Sequence, residues 1–425
     1  MKVLIVGSGG REHAIAWKLA QSPLVDKLYC APGNAGIAQI AECVPIGPME
    51  FDRLAAFAKE KAVDLTVVGM DDPLVGGIVD VFEAEGLAVF GPRKNAAILE
   101  GSKAFSKDLM KKYGIPTAGY ETFTSAEDAL AYLRTQAKFP TVLKADGLAL
   151  GKGVLICEDL LQAEAGIAEL MQERRFGAAG DTVVIEEFMT GREVSVLSFV
   201  DGKTIRVMTS AQDHKRAKDG DQGLNTGGMG TFSPSPFFTP EIEAWCQAHI
   251  FEPTVAAMAA EGRPFQGIIF FGLMLTADGP RVLEYNARFG DPETQVVLPR
   301  MENDLMEVFL ACVNGTLDQV ELKFADNAAV CVVLASDGYP EHYEKGLPIT
   351  GLESFEGDPS HFVFHAGTKR NEAGELVTNG GRVLGVTALG ATLREARSEA
   401  YAATERVHFA NKYMRHDIGK AIDEA

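Results

Sequence analysis

The sequence contains no long apolar run, no paired cysteines and no block of like charges. No stretch approaches the roughly 20 apolar residues that a membrane-spanning helix needs. The six cysteines are scattered, lack the CxxC spacing of a zinc or redox site, and fall mostly in apolar segments, as small buried side chains do. The formal net charge is −19, but the acidic residues are spread along the chain. We therefore expect neither a membrane nor nucleic acid as a partner, and local cationic pockets wherever an anionic substrate binds.

What is present is the composition of an ordinary globular protein. The 425 residues are 46% hydrophobic and 23% charged, which predicts about two to four domains with substantial cores. Residues 1–7 form a short apolar segment ending in glycine, whereas a signal peptide needs a longer apolar region and a small-residue cleavage site. We therefore expect a cytoplasmic protein.

Residues 1 to about 100 alternate strand and helix patterns, which predicts a parallel sheet with helices on both faces. We expect strands at 3–6, 27–30, 65–68 and 88–90, and helices at 12–20, 51–61 and 75–85. The turn that includes Gly9, Gly10 and Arg11 opens the first helix, so its amides could meet a phosphate or carboxylate. An NAD fingerprint is disfavoured, because Glu12 takes the third glycine position and no acidic ribose ligand follows the second strand.

A second glycine loop lies between apolar segments and runs from Lys144 to Gly153. It differs from a P-loop in its spacing and in having Gly153 where a hydroxyl would hold Mg²⁺. Residues 154–157 are β-like, so the loop is predicted to join two strands as a flap. Its amides, with Lys144 and Lys152, could close over phosphates. The alternative is a glycine hairpin with solvated lysines.

Two further segments carry polar groups. Glu186 and Glu187 end an apolar strand, where carboxylates can contact adenine and ribose or can simply be solvated. Residues 210–235 lose periodicity and include the glycine cluster 225–230, which suggests a backbone that approaches a ligand. His214 could act as an acid or base, but such a histidine is more often a hydrogen-bonding surface residue.

The segment 281–294 is the candidate metal site. Side chains alternate along a strand, so Glu284 and Asn286 emerge on one face and offer the oxygen ligands that Mg²⁺ prefers. The alternative is a strand with one polar face, followed by a helix that Asp291 caps and Pro292 begins.

Residues 327–425 form a last unit, with strands predicted at 328–334, 361–369 and 381–388 and a helix from Leu393. Lys369 and Arg382 each stand beside glycine in a loop, where they could bind a phosphate or be solvated at a turn.

The ordered set of motifs resembles the ATP-grasp enzymes, and more closely the phosphoribosylamine–glycine ligase (glycinamide ribonucleotide synthetase) family. The motifs are Gly7-Ser-Gly-Gly-Arg-Glu-His13, Leu99-Glu-Gly-Ser-Lys103, Lys144-Ala-Asp-Gly-Leu148, Gly151-Lys-Gly153, Gln212-Asp-His-Lys215, Asn225-Thr-Gly-Gly-Met-Gly230, Arg288-Phe-Gly-Asp-Pro-Glu293, Phe364-His-Ala-Gly-Thr-Lys369 and Thr378-Asn-Gly-Gly-Arg382. The resemblance implies a multidomain α/β and α+β fold. Its parts would be an N-terminal open parallel α/β domain at 1–101, an ATP-grasp core at 102–326 with a flap subdomain at about 119–190, and a C-terminal mixed β domain at 327–425.

The resemblance also implies ATP as co-substrate with Mg²⁺ or Mn²⁺. Glu284 and Asn286 would hold the metal, and the carboxylate that many relatives have on the preceding strand is replaced by Gly272. The ATP-binding residues would be Lys103, Lys144, Gly151, Lys152, Gly153, Glu186, Glu187, Phe188 and Glu193.

The implied reaction joins glycine to 5-phosphoribosylamine through glycyl phosphate, in de novo purine biosynthesis, by a monomer or weak oligomer. Arg288 and Lys144 would be catalytic, with Arg288 stabilising the transferring phosphoryl group or the oxyanion. Substrate contacts would come from Gly9, Gly10, Arg11, Asp213, Lys215, Asn225, Thr226, Gly227, Gly228, Arg288, Asp291, Lys369 and Arg382. The alternatives are an ATP-grasp carboxylase or formyl-transfer enzyme and an NAD-dependent oxidoreductase.

Overall fold

A computed structural model describes residues 1–149 and 153–425. The first hundred residues form the expected parallel sheet, with the strand order Glu42–Cys43, Lys27–Pro32, Lys2–Gly7, Leu65–Val68 and Val89–Phe90. Its helices are Gly10–Leu19, Phe51–Glu60, Asp71–Gly76, Ile78–Ala84 and Lys94–Gly101. The single helix predicted at 75–85 is in fact two, because Gly77 adopts the left-handed conformation with φ of 98° between them.

A four-stranded antiparallel sheet follows the helix Lys103–Tyr113, which Ser102 caps. The strand order is Tyr120–Phe123, Val183–Glu187, Thr141–Ala145 and Val154–Cys157, with helices Ala126–Thr135 and Leu160–Ile167. Thr141–Ala145 pairs with Val154–Cys157, which confirms that the glycine loop joins two strands. The loop residues 150–152 lie outside the described residues.

The central sheet is also antiparallel and has the strand order Ile205–Val207, Arg192–Asp201, Gln266–Thr276 and Gly279–Asn286. A continuous helical segment, made of Pro240–Cys246, Gln247–Phe251 and Glu252–Ala260, packs against it through Phe251 and Phe271. Gly272, which stands where many relatives have a carboxylate, pairs directly with Glu284. A Cβ atom at residue 272 would lie 2.9 Å from Cγ of Glu284, so the glycine leaves room for the stem of that side chain.

The C-terminal sheet includes strands from earlier in the chain. Its order is Gln212–Asp213, Gly230–Ser233, Ala328–Ser336, Arg382–Gly390 and His361–His365, and Lys412–Tyr413 pairs with Ala328–Ser336. Residues 210–235 are thus less irregular than predicted, since Arg216–Lys218 and Gln222–Asn225 form a further hairpin. The strand predicted at 361–369 ends at His365, because Thr368–Arg370 pairs separately with Leu376–Thr378.

One large buried core joins these units. It combines Ile5 of the first sheet, Phe199 and Phe270 of the central sheet, Phe309 of helix Leu305–Asn314, and Phe364 of the C-terminal sheet. The four-stranded sheet between Tyr120 and Glu187, which we call the flap sheet, has a separate core. Within the part of the chain that is described, no helix is long and apolar enough to cross a membrane.

Candidate active site

A cleft of about 1390 Å³ lies between three parts of the chain. They are the flap sheet, the central hairpin made of strands Gln266–Thr276 and Gly279–Asn286, and the C-terminal unit at residues 327–425. Most of the side chains predicted from the sequence converge on it. The predicted residues that line it are Arg11, Lys103, Lys144, Gly153, Glu186, Glu187, Phe188, Glu193, Asp213, Lys215, Asn225, Thr226, Gly227, Glu284, Asn286, Arg288, Asp291 and Arg382.

The candidate metal ligands Glu284 and Asn286 end the second strand of the central hairpin and both face the cleft. Nζ of Lys215 lies 3.1 Å from Oε1 of Glu284, and this cation lowers the pKa of Glu284 to about 2. The carboxylate is therefore ionised and already attracts a cation. Two protein oxygens on one face fit a Mg²⁺ ion that keeps waters and phosphates as its other ligands. Within the described residues, no group of three His, Cys, Asp or Glu side chains forms a metal cage.

Arg288 lies just beyond this pair and is held by a buried acid. Its guanidinium lies 3.4 Å from Oε1 of Glu100, and it donates to Oδ1 of Asn286 over 3.3 Å. Burial raises the pKa of Glu100, which Arg288 opposes, and the second oxygen of Glu100 accepts from the Ala287 amide at 2.7 Å. Nε of Arg288 is buried and has no hydrogen-bond partner among the described residues. An oxyanion bound beside this arginine would satisfy that N–H group.

Three lysines stand opposite the metal ligands. Lys103 donates to the Gly147 carbonyl at 2.8 Å, and burial lowers its pKa. Nζ atoms of Lys144 and Lys107 each lie 3.0 Å from Oε2 of Glu186. The second carboxylate oxygen of Glu186 is buried and has no partner in the part of the chain that the structure describes, which costs free energy unless a ligand donates to it. The sequence suggested that Glu186 contacts adenine, and its unpartnered oxygen fits a ligand amino group.

The residue after Glu186 is exposed to solvent. Oε2 of this residue, Glu187, lies 4.0 Å from Nη1 of Arg281. Phe188 follows the strand and lines the cleft, where its backbone can meet a ligand. Glu193 lies near the start of the strand Arg192–Asp201, and its carboxylate is 3.4 Å from Nζ of Lys215. Lys215 is therefore shared between Glu193 and Glu284.

A pair of neighbouring carboxyl groups, the half-buried Asp213 and the buried Glu293, also lines the cleft. Burial and the neighbouring Glu293 raise the pKa of Asp213 well above its ordinary value. Glu293 also has a raised pKa through burial, and Ser195 donates to its Oε1 at 3.2 Å. Such groups tend to share a proton or to attract an ammonium group. His214, by contrast, is structural, because its ring bonds to the Gly230 carbonyl and accepts from the Gly419 amide.

Asp291 joins two arginines from distant parts of the chain. Its Oδ2 accepts from the Arg11 amide at 3.2 Å, and Arg382 lies 3.5 Å from its Oδ1. These two cations hold the pKa of Asp291 below its ordinary value although burial opposes them. Arg382 also donates to the Gly227 carbonyl at 2.9 Å. Asp291 is therefore not the simple helix cap of the alternative interpretation, and the next helix begins only at Thr294.

The predicted phosphate site at the first glycine turn is not supported. The Gly9 amide donates to Oε2 of Glu12 at 2.7 Å, so a carboxylate of the protein already occupies the helix N-terminus. Gly10 packs against the Gln295 side chain, and its Cβ would lie 2.5 Å from Nε2 of that residue. Lys369 is exposed on the strand Thr368–Arg370 and does not line the cleft.

The remaining predicted positions have mixed outcomes. Gly228 packs beside Asp213 and Pro292, with φ of 121° and its amide bonded to the Thr226 hydroxyl, so it supports the cleft wall. Gly151 and Lys152 lie outside the described residues. The sequence-based prediction missed Lys107, Glu100 and Glu293, although the first two lie in or next to the motif Leu99–Lys103 that carries the resemblance.

Comparison with known proteins gives matches over nearly the whole chain. Three models of phosphoribosylglycinamide synthetase match it in order: the N domain at residues 1–100, the ATP-grasp (A) domain at 101–294 and the C domain at 329–421. A phosphoribosylamine–glycine ligase of Halalkalibacterium halodurans is 52% identical, over 100% of this chain and 98% of that protein.

Solved structures agree with these matches. The crystal structure of phosphoribosylamine–glycine ligase from Thermotoga maritima has a TM-score of 0.85 and 36% identity, covering 99% of this chain and all of that one. The biotin carboxylase domain of 2-oxoglutarate carboxylase from Hydrogenobacter thermophilus, solved with MgADP, ADP and bicarbonate, has a TM-score of 0.74. It is 16% identical and covers 97% of this chain and 91% of that one, so this likeness concerns the fold alone.

Proposed function

This chain belongs to the phosphoribosylglycinamide synthetase family, and we propose that its cleft makes and consumes glycyl phosphate. The chain is an ATP-dependent ligase that joins glycine to phosphoribosylamine in purine biosynthesis, and we propose that it uses a divalent metal ion. The observation that carries the proposed mechanism is the arrangement of Glu284, Asn286 and Arg288 opposite Lys103 and Lys144 in one cleft.

We assign the nucleotide to the space between the flap sheet and the central hairpin. Adenine would meet Glu186 and the backbone near Phe188, and the ribose would meet Glu193. The phosphates would lie against Lys103 and Lys144, whose ammonium groups suit the triphosphate charge. The unpartnered oxygen of Glu186 supports this orientation, since the adenine amino group can donate to it.

We further propose that the metal is Mg²⁺, with Mn²⁺ able to replace it, and that Glu284 and Asn286 hold it. When bound, the ion would neutralise charge on the phosphate oxygens and keep the terminal phosphoryl group in line for transfer. Lys215 would then lose its partner at Glu284 but keep Glu193, so it remains available to an anionic ligand.

The chemistry proceeds in two steps. A glycine carboxylate oxygen attacks the γ-phosphorus, the bond to the β-phosphate oxygen breaks, and ADP leaves. The amine of 5-phosphoribosylamine then attacks the carbonyl carbon of glycyl phosphate, and inorganic phosphate leaves with the electrons of the C–O bond. Arg288 would stabilise the transferring phosphoryl group or the oxyanion of the second step through its free Nε–H. The flap would exclude water, which otherwise hydrolyses an acyl phosphate.

The two small substrates would bind on the C-terminal side of the cleft. Asp213 and Glu293 form an acidic pair suited to the glycine ammonium group. Arg382, beside the turn at Asn225, Thr226 and Gly227, suits the 5-phosphate. Asp291 and Arg11 would orient Arg382 rather than bind substrate directly. We also propose that the enzyme acts in the cytoplasm, as a monomer or a weak oligomer.

The test is ADP release from ATP, glycine and freshly generated phosphoribosylamine, with each omitted in turn. We expect release to require all three. In the double variant Glu284→Ala/Asn286→Ala, metal-dependent ADP formation should be abolished while the thermal unfolding transition persists. Asp278→Ala is the matched control, because this exposed carboxylate lies at the other end of the same hairpin. Wild-type activity in the double variant, or stimulation by bicarbonate instead of glycine, would refute the proposal.

A further inference from the structure

Lys107 is a buried cation in the cleft that the proposed mechanism does not use. Its side chain is 3% exposed, and its Nζ lies 3.0 Å from Oε2 of Glu186. Nζ also donates to the Thr117 hydroxyl at 2.7 Å, and that hydroxyl donates to the Val282 carbonyl at 2.7 Å. The lysine is therefore fixed between the helix Lys103–Tyr113, the flap sheet and the central hairpin.

Within the described residues, Glu186 receives two cations on one oxygen and no donor on the other. Lys144 shares Oε2 at 3.0 Å, while the buried Oε1 has no partner there. Lys144 also donates to the Leu283 carbonyl at 3.3 Å, one residue before the candidate metal ligand Glu284, and the proposed function places it against the phosphates. Lys107 has no assigned role at the phosphates, and its other described bond is to the Thr117 hydroxyl.

We propose that Lys107 is a positioning residue for purine selection: it holds the Glu186 carboxylate in one orientation, so that Oε1 accepts a hydrogen bond from an amino group and rejects a carbonyl. This inference rests on the proposed placement of the nucleotide base beside Glu186. Adenine presents an amino group at its six-position, whereas guanine presents a carbonyl oxygen there. A fixed carboxylate oxygen attracts the first and repels the second.

The electrostatics agree with this role. Burial lowers the pKa of Lys107 to about 8, and Glu186 acts in the opposite direction. Lys107 is therefore mostly charged at neutral pH. Without this cation, the Glu186 carboxylate loses one of the two contacts that hold Oε2, so Oε1 can turn away from the amino group. Discrimination between the two bases should then weaken.

The experiment compares ATP with GTP in the complete ligation assay with Lys107→Met, Lys107→Arg and Lys111→Met. In Lys107→Met, kcat/KM for ATP should fall at least about tenfold, while kcat/KM for GTP stays level or rises. Lys107→Arg retains a cation and should recover most of the ATP preference. Lys111→Met should behave like the wild type, because Lys111 lies on the same helix with an exposed side chain.

An equal loss with ATP and GTP in Lys107→Met would overturn the proposal, since a structural role affects both nucleotides alike. If that variant does not fold, Thr117→Val frees Lys107 without altering the charge and should shift the ATP preference in the same direction. An unchanged preference in a folded Thr117→Val would then overturn it. Failure of the proposed function can be told apart from failure of the Lys107 proposal. In the first case the wild-type enzyme itself would show no glycine-dependent ADP release.

Discussion

Replacing Arg288 by methionine should separate its catalytic effect from its structural effect. The side chain is 18% exposed, its guanidinium lies 3.4 Å from Glu100, and its buried Nε–H has no partner among the described residues. If that group stabilises the transferring phosphoryl group, kcat should fall on the order of 100-fold, or about 2.7 kcal/mol. KM for ATP should change little, because the assigned nucleotide contacts are untouched.

The same substitution leaves Glu100 buried without its cation. Burial already raises the pKa of Glu100 above its ordinary value of 4.5, and losing Arg288 raises it further. Below pH 4.5 the group is protonated whether the chain is folded or unfolded, so little stability is lost. As the pH rises, Glu100 ionises in the unfolded chain before it ionises in the folded one. The variant therefore loses about 2 kcal/mol of unfolding free energy by pH 8.

The assays are ADP release for kcat and urea unfolding at pH 5 and pH 8 for stability. The double variant Glu100→Gln/Arg288→Met should recover the pH-dependent part of the stability but none of the activity. Arg281→Met, on the strand that precedes Arg288 and not among the residues that line the cleft, should retain both. A kcat within about threefold of the wild type in Arg288→Met, or recovery of activity in the double variant, would refute the catalytic assignment.

Two further substitutions test the assigned ligands. Lys215→Met should tighten Mg²⁺ binding to the nucleotide-free enzyme about tenfold, because the ammonium group 3.1 Å from Glu284 competes with the ion; weaker binding in titration calorimetry would contradict this. Arg382→Met should raise KM for phosphoribosylamine about tenfold or more while leaving KM for ATP unchanged. Arg394→Met, an exposed arginine, is its control, and a change in kcat alone would argue against phosphate contact.

Local sequence patterns were sufficient for the sheets and for the hairpin that presents the metal ligands. Strand and helix periods are properties of short segments, and the alternation of side chains along one strand predicted that Glu284 and Asn286 emerge on the same face, where both line the cleft. The flap also followed from local signals, since a glycine loop between two β-like segments predicts a hairpin.

Contacts between distant segments could not be predicted in this way. The pairing of Lys107 with Glu186 and of Arg11 with Asp291 joins residues far apart in the chain, and no periodicity encodes them. The expected phosphate site at Gly9 differs from these cases, because the competing group is close in the sequence. Glu12 stands three residues after it, the spacing at which a side chain bonds back to the helix start, so the competing carboxylate was visible in the sequence.

The C-terminal sheet has a consequence for the order in which the enzyme acquires its site during synthesis. Gly230–Ser233 pairs with Ala328–Ser336, so an early strand must wait until roughly a hundred more residues have left the ribosome. Asp213 lies on the strand that pairs with Gly230–Ser233, and Lys215 follows two residues later. A nascent chain that has completed its flap and central hairpin therefore still lacks the support for these two side chains, and competence for ligation arrives only with the last unit.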